Sequence, residues 1–305
     1  MKRLQKFLII FFIPFIIFFS SNNTCYSKDL IQNFKTGKIN WTTGVVIAWG
    51  NGYASKEITD VRLARELAKK EAILDARRNL IKIIKSVRLD SKVSIEDIVK
   101  NWDITEDNIK RTTYDSKVKT DFLPDNRAKA TVELKIYGKL ADSVYFFSPE
   151  KEEKKSDKTM LSFSRGKSEE TFERKKEKEF LTKESKTGKE ESLYSGIIID
   201  ARNLEAEPAL FPKIFNEREE LIYSYTKVEY PYVMEQGMVK YERDLKNAQK
   251  DVRVKPRPLV IRAIGVRGEG KTDIVINDGD AKKLMNEEKT GGFLKQGKVV
   301  ILLDK

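Results

Sequence analysis

Between Asp60 and Asp90 apolar or small residues recur at Val61, Ala64, Ala68, Ala72, Ala76, Leu80, Ile84 and Val87. Steps of three and four keep these positions on one face of a helix. Leu63, Leu67, Leu74 and Ile81 widen the stripe into a second contact surface, an arc too broad for a two-stranded seam and suited to a helix lying across a sheet. The alanines leave room for a backbone to approach closely, and Thr59 or Asp60 is the expected N-cap. Before the helix, Thr43 to Trp49 is a β-branched and aromatic run that predicts a central strand, with Gly50-Asn51-Gly52 expected to end it as turn glycines. Residues 28 to 40 read as a tether. After the helix, Ser94 and Asp97 form a capping box opening a short helix from Ser94 to Trp102. Lys117 to Leu123, the turn Pro124-Asp125-Asn126 and the alternating run Ala128 to Ile136 predict a hairpin. Together these make a small α+β unit over residues 41–147, helices on one face of an antiparallel sheet.

The stretch Glu150 to Glu191 holds thirteen Lys or Arg and twelve Glu or Asp in 42 residues. With few large apolar groups it cannot offset its ordering entropy, so residues 148–192 are expected to be a charged, flexible linker. A second α+β domain follows over 193–305. Strands are expected at Gly196–Arg202, Pro208–Phe215, Glu220–Tyr225, Pro258–Val266, Thr272–Ile276 and Val299–Leu303, and helices at Met238–Gln249 and Asp280–Lys289. The expected fold is α+β: two small domains with antiparallel sheets and packed helices.

Composition changes this picture at the N-terminus. Lys2, Arg3 and Lys6 precede thirteen residues, Phe7 to Phe19, that are apolar apart from Pro14, and small and polar residues follow. That order describes a secretory signal cut after Ser27; a retained anchor is the alternative, though a spanning helix usually needs about 20 apolar residues. Removing residues 1–27 takes the formal net charge from +12 to +9. The single cysteine, Cys25, lies in the signal exit, where Asn22, Asn23 and Thr24 do not match a lipidation pattern. The chain has no histidine. Ser-His-Asp and Cys-His catalysis, and zinc sites built on His or Cys, are therefore excluded. The positive charge is compatible with an anionic membrane surface or peptidoglycan, and an exported protein is not expected to meet nucleic acid.

Two motifs invite nucleotide chemistry. Gly50-x-Gly52 lacks the third glycine of the dinucleotide fingerprint, since position 55 is Ser55. Gly265-Val266-Arg267-Gly268-Glu269-Gly270-Lys271-Thr272 matches the phosphate-loop pattern at every specified position, and Val299 to Asp304 resembles the apolar strand that ends in a magnesium-binding Asp. A phosphate loop must run into a helix. Thr272 is instead followed by Asp273-Ile274-Val275-Ile276, so the glycines read as the bend of a hairpin, and a nucleotide-hydrolysing enzyme is the disfavoured rival. Ser148-x-x-Lys151 and Lys186-Thr187-Gly188 match penicillin-interacting motifs by chance, within the charged linker. No catalytic, cofactor or metal residue is assigned. The residues singled out for structure or contact are Asp75 with Arg78, Asp200 with Arg202, and the aromatics Trp49, Tyr53 and Trp102.

Ala72-x-x-Asp75-Ala76-Arg77-Arg78-Asn79-Leu80 and Ile84-x-x-Val87, between a glycine-bounded strand and a hairpin, resemble the twenty-kilodalton bacterial lipoprotein family. That family is similar to the flagellar envelope protein FlgP and the N-terminal domain of FlgT. The resemblance implies a periplasmic or outer-membrane-associated protein of Gram-negative type that assembles with envelope proteins, flagellar basal-body components or itself and catalyses nothing. An exported, non-enzymatic envelope protein is thus the leading expectation, with a peptidoglycan- or anionic-lipid-binding module as the alternative.

Overall fold

The computed structural model describes residues 29–101, 103–145 and 193–304. The expected signal segment, the charged linker and Trp102 lie outside the described residues. What is described is α+β, with two sheets, each built in one half of the chain.

The first sheet is antiparallel and five-stranded, in the order β1-β2-β3-β5-β4. Its strands are β1 (Ile31–Phe34), β2 (Gly37–Asn40), β3 (Val45–Tyr53), β4 (Lys117–Leu123) and β5 (Arg127–Lys135). The expected tether is therefore a hairpin: β1 and β2 extend the sheet from β3 outward. In the three-residue β4–β5 turn, Pro124 to Asn126, Asp125 and Asn126 both have positive φ, a conformation that these short polar side chains tolerate.

Helix α1 (Val61–Lys85) crosses one face of this sheet, and the Asp60 side chain accepts from the Arg62 and Leu63 N–H groups at its start. Ala64, Ala68, Ala72, Ala76, Leu80 and Ile84 are fully buried, whereas Leu63, Leu67 and Leu74 are exposed. The stripe is thus the contact face, and the expected second surface is left to solvent. The glycines work differently from the expectation. β3 runs through Gly50 and Gly52 to Tyr53, and neither glycine has positive φ. A Cβ on Gly50 would lie 2.1 Å from the Ala76 nitrogen, and one on Gly52 1.9 Å from the Ala68 carbonyl oxygen. They are needed because helix and strand backbones touch. Helices α2 (Ile95–Asn101) and α3 (Asp103–Tyr114) follow, then α4 (Lys139–Tyr145) after β5. The capping box forms as expected: Asp97 N–H donates to Ser94 Oγ at 3.2 Å and Ser94 N–H to Asp97 Oδ2 at 2.9 Å. The Ser94 hydroxyl, which donates to Asp97 Oδ2 at 2.6 Å, and the Ser94 N–H together hold the Asp97 carboxyl below the usual range.

The second sheet is seven-stranded, in the order β8-β7-β11-β10-β6-β12-β9. Its strands are β6 (Gly196–Asp200), β7 (Ile214–Asn216), β8 (Leu221–Tyr223), β9 (Lys240–Glu242), β10 (Pro258–Arg267), β11 (Asp273–Ile276) and β12 (Val299–Leu302). It is mixed, not antiparallel: β6 lies parallel to both β10 and β12. The reason is in the sequence. GIIID and VVIL are uninterrupted apolar runs, the pattern of strands covered on both faces. Ile197, Ile199, Val299 and Ile301 enter the main core, while Ile198, Val300 and Leu302 meet Ala248 and Val254 on the other side. Helices α5 (Tyr230–Gln236), α6 (Leu245–Lys250) and α7 (Asp278–Gly291) complete this half. The helix expected over Met238–Gln249 is β9 followed by α6, and the strand expected over Pro208–Phe215 begins only at Ile214.

One apolar core runs through both halves. Trp41 meets Tyr241 edge-on at 5.8 Å, and Tyr145 packs against Phe211 and Tyr225 at 6.1 and 5.3 Å. Backbone bonds also cross: the Leu210 and Phe211 N–H groups donate to the Arg88 and Leu89 carbonyls at 2.9 and 2.7 Å.

Candidate functional site

Most polar groups that the sequence singles out are occupied in holding the fold. β2 pairs with β3 only as far as Ala48, and the Trp49 N–H reaches the Thr36 carbonyl, which leaves the outer edge of β3 bare from the Trp49 carbonyl onward. Side chains of α1 cover it: Asn51 N–H donates to Asp75 Oδ2 at 3.0 Å, Tyr53 N–H to Glu71 Oε2 at 3.4 Å, and Asn79 Nδ2 to the Trp49 carbonyl at 3.0 Å. Arg78 stands 3.8 Å from Asp75 as its ion-pair partner. Asp75 and Asn79 thus replace a missing strand, which explains two polar residues beside a helix's buried stripe. Asp200 and Arg202 form a two-pronged pair at the end of β6, with bonds of 2.8 and 2.6 Å that hold the Asp200 carboxyl below its ordinary value.

The phosphate-loop pattern is a structural joint. β10 bends directly into β11, so no helix N-terminus points at the loop. Lys271 is ion-paired with Glu205 at 2.6 Å. A Cβ on Gly268 would fall 2.3 Å from Ser91, and one on Gly270 2.2 Å from Arg88, so the glycines let the first domain's Arg88–Ser91 loop seat itself. The seat is buried and polar: Ser91 Oγ donates to Asp273 Oδ2 at 2.5 Å, Gly270 N–H to the Ser91 carbonyl at 3.0 Å, and Lys213 Nζ to Asp90 at 3.1 Å. Burial raises the Asp273 carboxyl above its ordinary value even though the Ser91 and Lys213 bonds pull the other way.

Among the described residues, none covers the other face of the first sheet. Along β3 the residues alternate, with Val46, Ala48, Gly50 and Gly52 buried toward α1 and Val45, Ile47, Trp49, Asn51 and Tyr53 directed away. The strand register then collects the second set with its cross-strand neighbours. Ile47 lies beside Lys38, and through Glu133 beside Lys117; Trp49 lies opposite Thr131 and, beyond it, Lys119. Asn51 lies opposite Lys129 and Asp121, Tyr53 opposite Arg127 and Leu123, and Val45 opposite Lys135. Trp49 is half-buried and Tyr53 is 59% exposed. Among the described residues none of Lys38, Lys117, Lys119, Lys129 and Lys135 has an ion-pair partner. At one end of the face a pocket of about 280 Å³ opens between Val45, Lys117, Lys135, Tyr137 and the ion pair Lys139–Asp115. Trp49 and Tyr53, two of the aromatics named from sequence, share this surface. The lysines were not foreseen, because only the pairing register gathers them from β2, β4 and β5.

Among the described residues no group of three or more His, Cys, Asp or Glu side chains converges as metal ligands would. Nor is any described helix long and apolar enough to cross a membrane.

The two halves differ in what they resemble. The family model for the second domain of Treponema pallidum Tp0624 matches residues 196–305, which is the whole second sheet with its helices. The likeness covers about a third of the chain and leaves the first domain, with its open face, outside it. No curated protein matches the chain.

Proposed function

We propose that this is an exported, non-enzymatic protein of the cell envelope, periplasmic or outer-membrane associated, with a structural or assembly role. It acts through the open face of the first sheet, which docks on an acidic surface. The observation that carries this reading is the set of lysines, without an ion-pair partner among the described residues, interleaved with Trp49 and Tyr53 on one face. Lysines near an anionic surface contribute about 1 kcal/mol each, and an aromatic ring with a polar edge suits the boundary between an apolar layer and water. The bonds already made by Asp75, Asp200, Lys271 and Asp273 support a role without turnover, since each of these groups is committed to holding the fold. The resemblance of the first domain to flagellar envelope proteins favours a place beside other envelope components, basal-body proteins among them.

Sedimentation of the full chain with vesicles and with purified cell walls tests the reading. Binding to phosphatidylglycerol vesicles or to walls, absent with phosphatidylcholine vesicles and weakening as salt rises, is the expected result. A chain that stays in the supernatant with every anionic surface at low salt sinks it.

A further inference from the structure

Among the described residues strand β4 is the longest sheet edge: seven residues without a bulge, against four in β1 and three in each of β8 and β9. Every residue of β4 is exposed except Thr120, which is half-exposed, and Val118, Phe122 and Leu123 are open to solvent at 41, 46 and 42%. A long exposed edge of this kind is a template for another strand.

The hydrogen-bonding direction of β4 follows from its neighbours. Trp49 N–H reaches Thr36 and Asn51 N–H reaches Asp75, both on the side of β3 away from β5. The even-numbered residues of β3 therefore bond β5, the odd-numbered residues of β5 bond β4, and the odd-numbered residues of β4 bond back. Val118, Thr120 and Phe122 are left with N–H and C=O groups pointing outward. We infer that this edge pairs with the β4 edge of a second copy, antiparallel about a two-fold axis at Thr120.

That register is self-complementary in every respect. Thr120 faces its own copy and Val118 faces Phe122 of the other chain, so each outward N–H and C=O has a partner. On the helix side an aromatic ring meets a β-branched side chain, with Arg65 already stacked on Phe122 at 5.8 Å. On the open side Lys119 faces Asp121, and Lys117 faces Leu123. Opposite charges across strands are favourable and like charges directly opposite are not. Sliding the register by one step puts Lys119 against Lys119 or Asp121 against Asp121, so the charges select the centred pairing. Edge lysines usually discourage pairing; this one meets a carboxylate only in the two-fold arrangement. The product is an isologous dimer with one continuous ten-stranded sheet, five strands from each copy. The inference does not rest on the anionic-surface reading, because no ligand is involved.

Light scattering and sedimentation equilibrium of the full chain, without lipid or cell wall, test it through a charge exchange. Lys119→Asp and Asp121→Lys each place like charges opposite one another and should weaken dimerisation about tenfold or more. The double exchange restores opposite charges and should return the affinity to within about threefold of the native chain. Thr120→Pro removes an outward N–H that β5 does not use, and should give a folded monomer. A native chain that is monomeric at its highest attainable concentration overturns the inference, as does a dimer indifferent to both single exchanges. If the proline variant fails to fold, the charge exchange still decides.

Discussion

The two sheets of this protein solve the burial problem differently. The second is dry on both sides at its centre: alternate residues of β6 and β12 feed two separate apolar clusters, and every residue of β12 is buried, while β10 shows Val260 and Ile264 to solvent. The first is dry on one side, where the alanines of α1 press against β3, and wet on the other, where lysines alternate with threonine, tryptophan and tyrosine. A face that no described residue covers and that is not uniformly polar is a surface available for contact. The difference locates stability mainly in the second sheet and in the α1–β3 contact, and recognition on the open side of the first.

The largest expected effect comes from closing the gap between α1 and β3. Gly52→Ala sets a methyl group against the Ala68 carbonyl and the Ala72 nitrogen, and backbone cannot yield as a side chain tip can. A loss of about 3 kcal/mol or more in urea unfolding is expected. A glycine that served only as a turn would cost far less.

Next comes the seat where the domains meet. Asp273→Ala leaves the Ser91 hydroxyl and the Lys213 N–H without their acceptor and should cost about 2 kcal/mol, whereas Asp273→Asn keeps an acceptor and should cost under about 1 kcal/mol. The pH dependence has a definite sign. Burial raises this carboxyl above its ordinary value of 3.8, so the folded state holds the proton more tightly than the unfolded one. Ionisation therefore opposes folding. The native chain should gain on Asp273→Asn as pH falls through the raised value, and the gain should level off below about 3.8. A difference in unfolding free energy that stays flat between neutral and acid pH contradicts this.

How far the sequence led depends on whether the partner of each segment is local. The alanine stripe, the capping box of Ser94 and Asp97, the Asp125-Asn126 turn and the continuous strands GIIID and VVIL are written in neighbouring residues, and each was legible. Gly50 and Gly52 were misread because their reason lies in Ala68, Ala72 and Ala76, sixteen or more residues along the chain. β1 and β2 looked like a tether because a short polar hairpin has no apolar period; it is held by pairing with β3. β9, three residues long, hid inside an apparent helical run. The phosphate-loop pattern was readable as a hairpin, but its service as a seat for Arg88–Ser91 was not, since that contact joins positions about 180 residues apart. Of the open face, Trp49 and Tyr53 could be named from sequence, while the lysines looked like ordinary solvated charge until the strand register placed them side by side.

The smallest expected effect on stability accompanies the most direct test of the account. Lys38, Lys129 and Lys135 have no ion-pair partner to lose among the described residues, so changing all three to Glu should leave the unfolding free energy within about 0.5 kcal/mol per site. The measurement is sedimentation of this triple variant with isolated envelope membranes and cell walls at low salt, beside the native chain. Loss of binding at least tenfold, with an unchanged unfolding midpoint, is what a recognition face predicts. Undiminished binding by the charge-reversed chain would contradict it and move recognition to another surface.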